Sequence, residues 1–313
     1  MATPQSPQHV AGAAGRITRW VLHSLRAVCA VGVLAVDCTG AWAQADPAAA
    51  LRAKYQSLQE RLQHSAFHEP LVLESTEAGK TVAGDVHAVL NHPFALVRDN
   101  LSDPQHWCDI LILHINTKYC HTVAAAEGPG LRVRVGRKTP EELGSVPRIE
   151  LKFRPTAVRS QYVGIALEAA DGPMDTTDYR IFVEAIALDD GKTFLHLSYS
   201  YANGLLARLA MRAYLATVGS GKLGFTQAGQ RADGQPSYVG GVRGVVERNT
   251  MRYYLAIDSF MAAASLPPEQ QAERRLQYWF TAVERYALQL HEMEQRDYLA
   301  MKRDEVARQR VLQ

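Results

Sequence analysis

The strongest constraint on this chain is a run of alternating residues that ends in an abrupt change of period. Leu131, Val133 and Val135 alternate with Arg132 and Arg134; Ile149, Leu151 and Phe153 alternate with Glu150, Lys152 and Arg154. Val163, Ile165, Leu167 and Ala169 mark a third segment, and Tyr179, Ile181 and Val183 a fourth. Leu195, Leu197, Tyr199 and Tyr201 share one face of a fifth, entered through the tight-turn dipeptide Asp190-Gly191. Apolar residues at period two, with charges between them, describe half-buried antiparallel strands. After Asn203 the period becomes helical. Leu205, Leu209, Arg212 and Ala216 line one stripe, and Leu206, Ala210, Ala213 and Thr217 line its neighbour. A helix apolar over so much of its circumference must be covered on more than one side. The pattern predicts an α+β fold in which a curved antiparallel sheet holds a long helix, Gly204–Thr217.

Upstream, Leu51–His64 reads as an amphipathic helix and His68–Glu74 as a first strand, with a turn at Gly79-Lys80. Gly84–Leu90 alternates: Val86, Ala88 and Leu90 point one way, Asp85, His87 and Val89 the other. Pro93 suits the first turn of a short helix carrying Phe94, Val97 and Leu101. Asp103-Pro104 caps and starts a second, from which Trp107, Cys108 and Leu111 turn inward. Ile110–His114 is expected as the next strand. Downstream, Gly219–Gly244 is glycine-rich but lacks the residue order of a phosphate-binding loop, and reads as an ordered connection folded across the body. Val245–Ala263 is a further long helix. Pro267-Pro268 separates it from a third, Glu269–Arg308, with an apolar stripe through Leu276, Phe280, Val283, Ala287 and Leu290. This C-terminal hairpin is read as cover for the domain, with a dimer or partner interface as the other use of the stripe.

The first residues have the pattern of a secretory signal: Arg16 and Arg19, then the apolar core Ala27–Val36, then the small-x-small site Ala41-Trp42-Ala43. The core is too short to span a bilayer. Cleavage after Ala43 is expected, with a secreted or periplasmic product. The formal charge of +2 resides in that segment; the remainder carries 31 basic and 31 acidic side chains. It has no basic excess of the kind a nucleic-acid binder uses to track phosphates. Cleavage removes Cys29 and Cys38 and leaves Cys108 and Cys120. In an oxidising compartment these two are expected to form one disulfide; the alternative is a pair of buried thiols.

The stretch Asp85-Val-His-Ala-Val-Leu-Asn-His-Pro-Phe-Ala-Leu-Val97, followed by Leu101-Ser-Asp-Pro-Gln-His-Trp107, resembles the START-like helix-grip superfamily. Members open with a strand, a proline-started helix and an Asp-x-x-x-x-Trp segment, one residue longer than Asp103–Trp107 here. The resemblance covers residues 84–218, between an N-terminal extension at 44–83 and the connection and hairpin at 219–244 and 245–313. It implies a carrier of lipids, sterols or polyketides, or, for a minority of members, a cyclase or hydrolase. It brings no catalytic motif with it.

A curved sheet and a long helix leave space that an apolar guest can fill, oriented by a few polar groups. His87, His114, Tyr199 and Tyr201 are the candidates for those groups, with His196 on the opposite face by parity. Arg248 and Arg252, one helical turn apart, are candidates for an anionic headgroup, or else for ion pairs with the sheet or the preceding loop. Five histidines between His87 and His121 show no zinc-binding spacing, and no cofactor is implied. No nucleophile elbow is present. Three functions are therefore compatible with the chain. The leading one is binding or transfer of a hydrophobic small molecule or lipid, with contact at a membrane surface. The second is an enzyme acting in the same cavity, and the third a partner-binding module with a filled core.

Overall fold

The computed structural model describes residues 46–125, 128–172, 175–204, 213, 217 and 221–312. The expected signal segment lies outside the described residues. So does the expected long helix Gly204–Thr217, apart from Gly204, Ala213 and Thr217. Among the described residues no helix is long and apolar enough to cross a membrane.

The expected strands form one eight-stranded antiparallel sheet, in the order β1-β2-β8-β7-β6-β5-β4-β3. Its members are β1 (Leu71–Ala78), β2 (Thr81–Leu90), β3 (Thr117–Ala125), β4 (Gly128–Val135), β5 (Arg148–Val158), β6 (Tyr162–Asp171), β7 (Thr176–Ala187) and β8 (Thr193–Asn203). Strand alternation sorts the side chains onto two faces. On the inner face Val82, Val86, Ala88, Leu195, Leu197, Val183 and Ile165 join the main core. On the outer face Val72, Tyr162, Ile186 and Phe194 form a second, smaller core under Leu51, Leu58 and Leu62 of α1 (Pro47–Gln63).

The short helices fall where the prolines and Asp103 predict: α2 (Phe94–Leu101) and α3 (Pro104–Leu111), the latter capped by Asp103, whose side chain accepts from the Gln105 N–H at 2.8 Å. The expected strand Ile110–His114 is corrected. Ile110 and Leu111 complete the buried face of α3 with Trp107, and the chain then turns through Ile112–Asn116 before β3 begins. Cys108 on α3 and Cys120 on β3 form a disulfide, with Cα atoms 5.1 Å apart.

Among the described residues, the helix laid across β1, β2 and β8 is α4 (Gly241–Ala263). It is buried over most of its circumference, as a helix between a sheet and further helices must be. Gly84, in the middle of β2, permits the close approach: a Cβ there would collide with the Thr250 side chain. Glu247 of α4 pins the glycine-rich connection. Its carboxylate accepts from the backbone N–H groups of Phe225 and Thr226 and from the hydroxyls of Thr226 and Ser75. That connection contains a small hairpin of β9 (Gln227–Gln230) and β10 (Pro236–Tyr238).

The expected third helix is broken into α5 (Pro268–Glu284), α6 (Ala287–Leu290) and α7 (Gln295–Val311). Leu276, Phe280, Val283 and Leu290 of the apolar stripe are buried in the main core. The helix α7 covers β3, an edge strand whose backbone would otherwise be left unpaired on one side. The Cys120 N–H donates to Gln309 Oε1 at 3.1 Å, and the Tyr298 hydroxyl donates to the Leu113 carbonyl at 2.9 Å. Lys302, wholly buried, donates to the carbonyls of His114 and Thr117 at 2.8 and 2.7 Å and pairs with Glu305 at 2.8 Å. Lys118 reaches the same carboxylate from β3 at 3.0 Å.

Candidate functional site

Between the inner face of the sheet, α4 and the turn after α3 lies a cavity of about 150 Å³. The sheet supplies apolar walls from Val133, Ile149, Leu151 and Ile181, with Tyr179 and Tyr199; the turn supplies His114 and Asn116; α4 supplies Asn249 and Tyr253. Strand parity turns Tyr199 inward, and its register partner Ile181 lines the same wall. The aromatic rings form a continuous lining. Tyr253 stacks on His114 at 4.7 Å and meets Tyr199 edge-on at 5.2 Å, while Tyr179 lies 6.4 Å from Tyr199. The volume is about that of apolar cavities known to take up one benzene-sized molecule.

Three polar tips in this lining make no hydrogen bond of ordinary geometry among the described residues: His114 Nε2 and the hydroxyls of Tyr199 and Tyr253. His114 is buried, and its Nδ1 accepts the Asn116 backbone N–H at 3.2 Å, which puts the proton of a neutral ring on Nε2. Burial holds His114 well below the ordinary histidine range, helped by the charges of Arg252, Lys302 and Lys138. The ring is therefore neutral, and Nε2 makes no hydrogen bond of ordinary geometry among the described residues, although the Asn249 side chain is near enough to act on the ring. Such a donor costs about 1–3 kcal/mol if nothing accepts from it. The Tyr199 and Tyr253 hydroxyls are likewise bonded to no described residue. Burial raises both above the ordinary tyrosine value, so both keep their protons. The site thus offers neutral O–H and N–H donors within largely aromatic and aliphatic walls, with Arg180 also in its lining. It can receive a ring-sized apolar group that carries an acceptor oxygen.

Of the residues singled out from sequence, His114 and Tyr199 meet in this cavity. Tyr201 lies beside it, stacked on Tyr179 at 5.4 Å. His87 does not line it, and its expected place among the cavity groups is corrected. It sits on the outer face, in register with His196 and stacked on that ring at 4.3 Å. The physical reason is parity, because Val86 and Ala88 take the inner face of β2. Arg248 donates to the Leu223 carbonyl at 3.0 Å, and Arg252 pairs with Glu292 at 2.8 Å. Both arginines are buried within the chain. Tyr179, Asn249 and Tyr253 were not identified from sequence. Tyr253 stands in a polar and aromatic stretch of α4, but only the packing of α4 on the sheet shows which way it points.

The outer-face network is of another kind. His196 Nδ1 lies 3.0 Å from Glu184 and Nε2 lies 2.9 Å from Asp85, while the Tyr162 hydroxyl donates to Glu184 at 2.8 Å. Burial opposes the charge on His196, but the two carboxylates outweigh it and raise the ring to about 9. Its neighbour His87 is pushed down to about 3, first by burial and then by the His196 charge. Among the described residues no group of three or more His, Cys, Asp or Glu could hold a metal ion.

A strand, two short helices, a run of antiparallel strands and a long helix laid across their inner face enclose this cavity. This is a helix-grip arrangement of sheet and helix. No family model matches the chain, and no curated protein matches it. Solved structures similar to the chain include the Zhui aromatase/cyclase from Streptomyces sp. R1128, at 17% identity and a TM-score of 0.31 over 40% of this chain and 69% of that one. Ara h 8.0201 is similar at 11% identity and a TM-score of 0.34, over 58% and 99%. Human StAR-related lipid transfer protein 5 is similar at 9% identity and a TM-score of 0.29, over 54% and 90%.

Proposed function

We propose that this protein is an exported carrier that reversibly binds an amphipathic small molecule in the cavity between α4 and the sheet. The observation that carries the reading is the unpartnered His114 Nε2–H, buried in an aromatic-lined space with two tyrosine hydroxyls. Desolvation of a ring-sized apolar group supplies most of the affinity, at roughly 25 cal/mol per Å² buried. The donors fix its orientation by donating hydrogen bonds to an acceptor atom on the guest. Export is supported by the signal-like segment before Ala43 and by the Cys108–Cys120 disulfide, which persists in an oxidising compartment.

Native mass spectrometry of the gently purified protein tests this. The expected result is a population carrying one small-molecule adduct, or uptake of one equivalent of 4-phenylbutanol on incubation. A protein that appears only at its bare mass before and after incubation contradicts the reading.

A further inference from the structure

Resting on that carrier reading, we propose that the ligand bears a carboxylate, held just beyond the aromatic walls by Lys138 and Lys222 together with Arg252. Three cations converge there on one acid. Glu292, in the connection between α6 and α7, lies 2.6 Å from the Lys138 ammonium, 2.7 Å from that of Lys222 and 2.8 Å from the Arg252 guanidinium. Four separate parts of the chain meet at this point: the β4–β5 connection, the glycine-rich connection, α4 and the α6–α7 connection. Among the described residues one carboxylate stands between the two lysines and Arg252, so positive charge is in excess. Lys138 and Lys222 make no other ion pair among the described residues.

The cluster adjoins the His114 end of the cavity. Arg252 Nη1 also donates to Asn249 Oδ1 at 3.4 Å, and Asn249 lines the cavity. Asn116, another lining residue, donates to the carbonyl of Gly136, two residues before Lys138. The charges of Arg252 and Lys138 act on His114 itself. Burial holds the Lys138 ammonium down to about 8, with Arg252 and Lys222 adding to the effect against the pull of Glu292. A second anion beside Glu292 would relieve that repulsion.

A neighbouring cluster shows what a sealed arrangement looks like. Lys118 and Lys302 share Glu305, but both are wholly buried. Lys302 spends its remaining donors on the carbonyls of His114 and Thr117, and Lys118 on the Ile115 carbonyl and Met301 Sδ. Lys138 and Lys222 keep 31% and 29% of their side chains exposed, so a solute can reach them. Their position, at one end of a cavity whose unpartnered groups are donors, fits the carboxylate of an amphipathic acid whose apolar part enters the cavity.

Calorimetric titration of the full chain at neutral pH with 4-phenylbutyrate and with 4-phenylbutanol tests the inference. The wild type is expected to bind the acid at least about tenfold more tightly than the alcohol, the margin of a charge-assisted hydrogen bond. K138M/K222M is expected to lose that margin while its affinity for the alcohol stays within about twofold. If the double variant does not fold, K138Q and K222Q each lower the preference by about threefold instead. Equal affinities in the wild type, or a preference that survives in these variants, overturn the carboxylate site and leave the carrier reading standing. Binding of neither probe overturns both.

Discussion

His114 and His196 are both sheltered within the same fold, yet they have opposite chemistry. Each nitrogen of His196 faces a carboxylate, Asp85 on one side and Glu184 on the other, and the ring carries charge. One nitrogen of His114 is satisfied by a backbone N–H, the other opens on a cavity, and the ring is neutral. A buried histidine is therefore informative through its partners rather than its burial. The outer-face ring is a structural cation whose network is closed by Tyr162 and covered by α1. The inner-face ring is held by structure on one side only and keeps a donor in reserve. This difference separates a site that holds the fold together from one that can receive a guest.

The largest effect should come from the support behind His114. Glu305→Leu leaves Lys118 and Lys302 buried without their anion, and is expected to cost about 3–5 kcal/mol of stability in chemical denaturation. A smaller loss would mean that α7 does not hold the turn carrying His114. His196→Phe should follow, at about 3 kcal/mol, because Asp85 and Glu184 lose the cation between them. That variant should still bind 4-phenylbutanol with wild-type affinity. Weakened binding would erase the distinction between the two faces. Removing the disulfide with C108A/C120A is expected to cost about 2–4 kcal/mol.

His114→Phe sharpens the contrast from the other side. It removes an unpaired donor but also the acceptor of the Asn116 N–H, so the two changes partly offset and the loss of stability should stay below about 2 kcal/mol, while binding of a probe with an acceptor oxygen weakens about tenfold. A loss of stability like that of His196→Phe would show that His114 is structural after all. The smallest effect is in the pH profile. His196 has its folded value raised to about 9, so its contribution is complete below the unfolded histidine value, about 6.5, and is lost as pH rises through about 9. His87 has its folded value lowered to about 3, so its contribution is present above about 6.5 and is lost as pH falls towards about 3. Stability followed by urea denaturation should decline in both directions from near neutrality, and His196→Phe should flatten the alkaline limb. An unchanged alkaline limb would remove His196 as the group responsible.

Much of the fold is legible in the sequence because strand parity is a local property. The alternation in β4 to β8 places the core face, turns Tyr199 and Tyr201 inward and sends His196 outward. The same rule, applied to β2, puts His87 with Asp85 on the outer face; the apolar set Val82, Val86 and Ala88 already occupies the other. The identity of α4 as a helix across the sheet was not legible. Glu247, Arg248, Thr250 and Arg252 are buried along with its apolar residues, so its sequence does not mark a single covered face, and the glycine-rich connection before it hides which surface buries it. Asn249 and Tyr253 therefore enter the cavity through tertiary packing alone. The cluster on Glu292 is harder still, since its four members come from three connections and the helix α4, and no local pattern unites them. The disulfide is the opposite case, expected from the two cysteines that lie outside the signal-like segment.

The cavity itself can be closed with one side chain. Leu151→Trp, on the sheet wall, should fill the space while preserving the core, and calorimetric titration with 4-phenylbutanol compares it with the wild type. One equivalent bound by the wild type and none by a folded Leu151→Trp protein is the outcome expected here. Equal binding by both would place the guest elsewhere and contradict the assignment of function to the inner face.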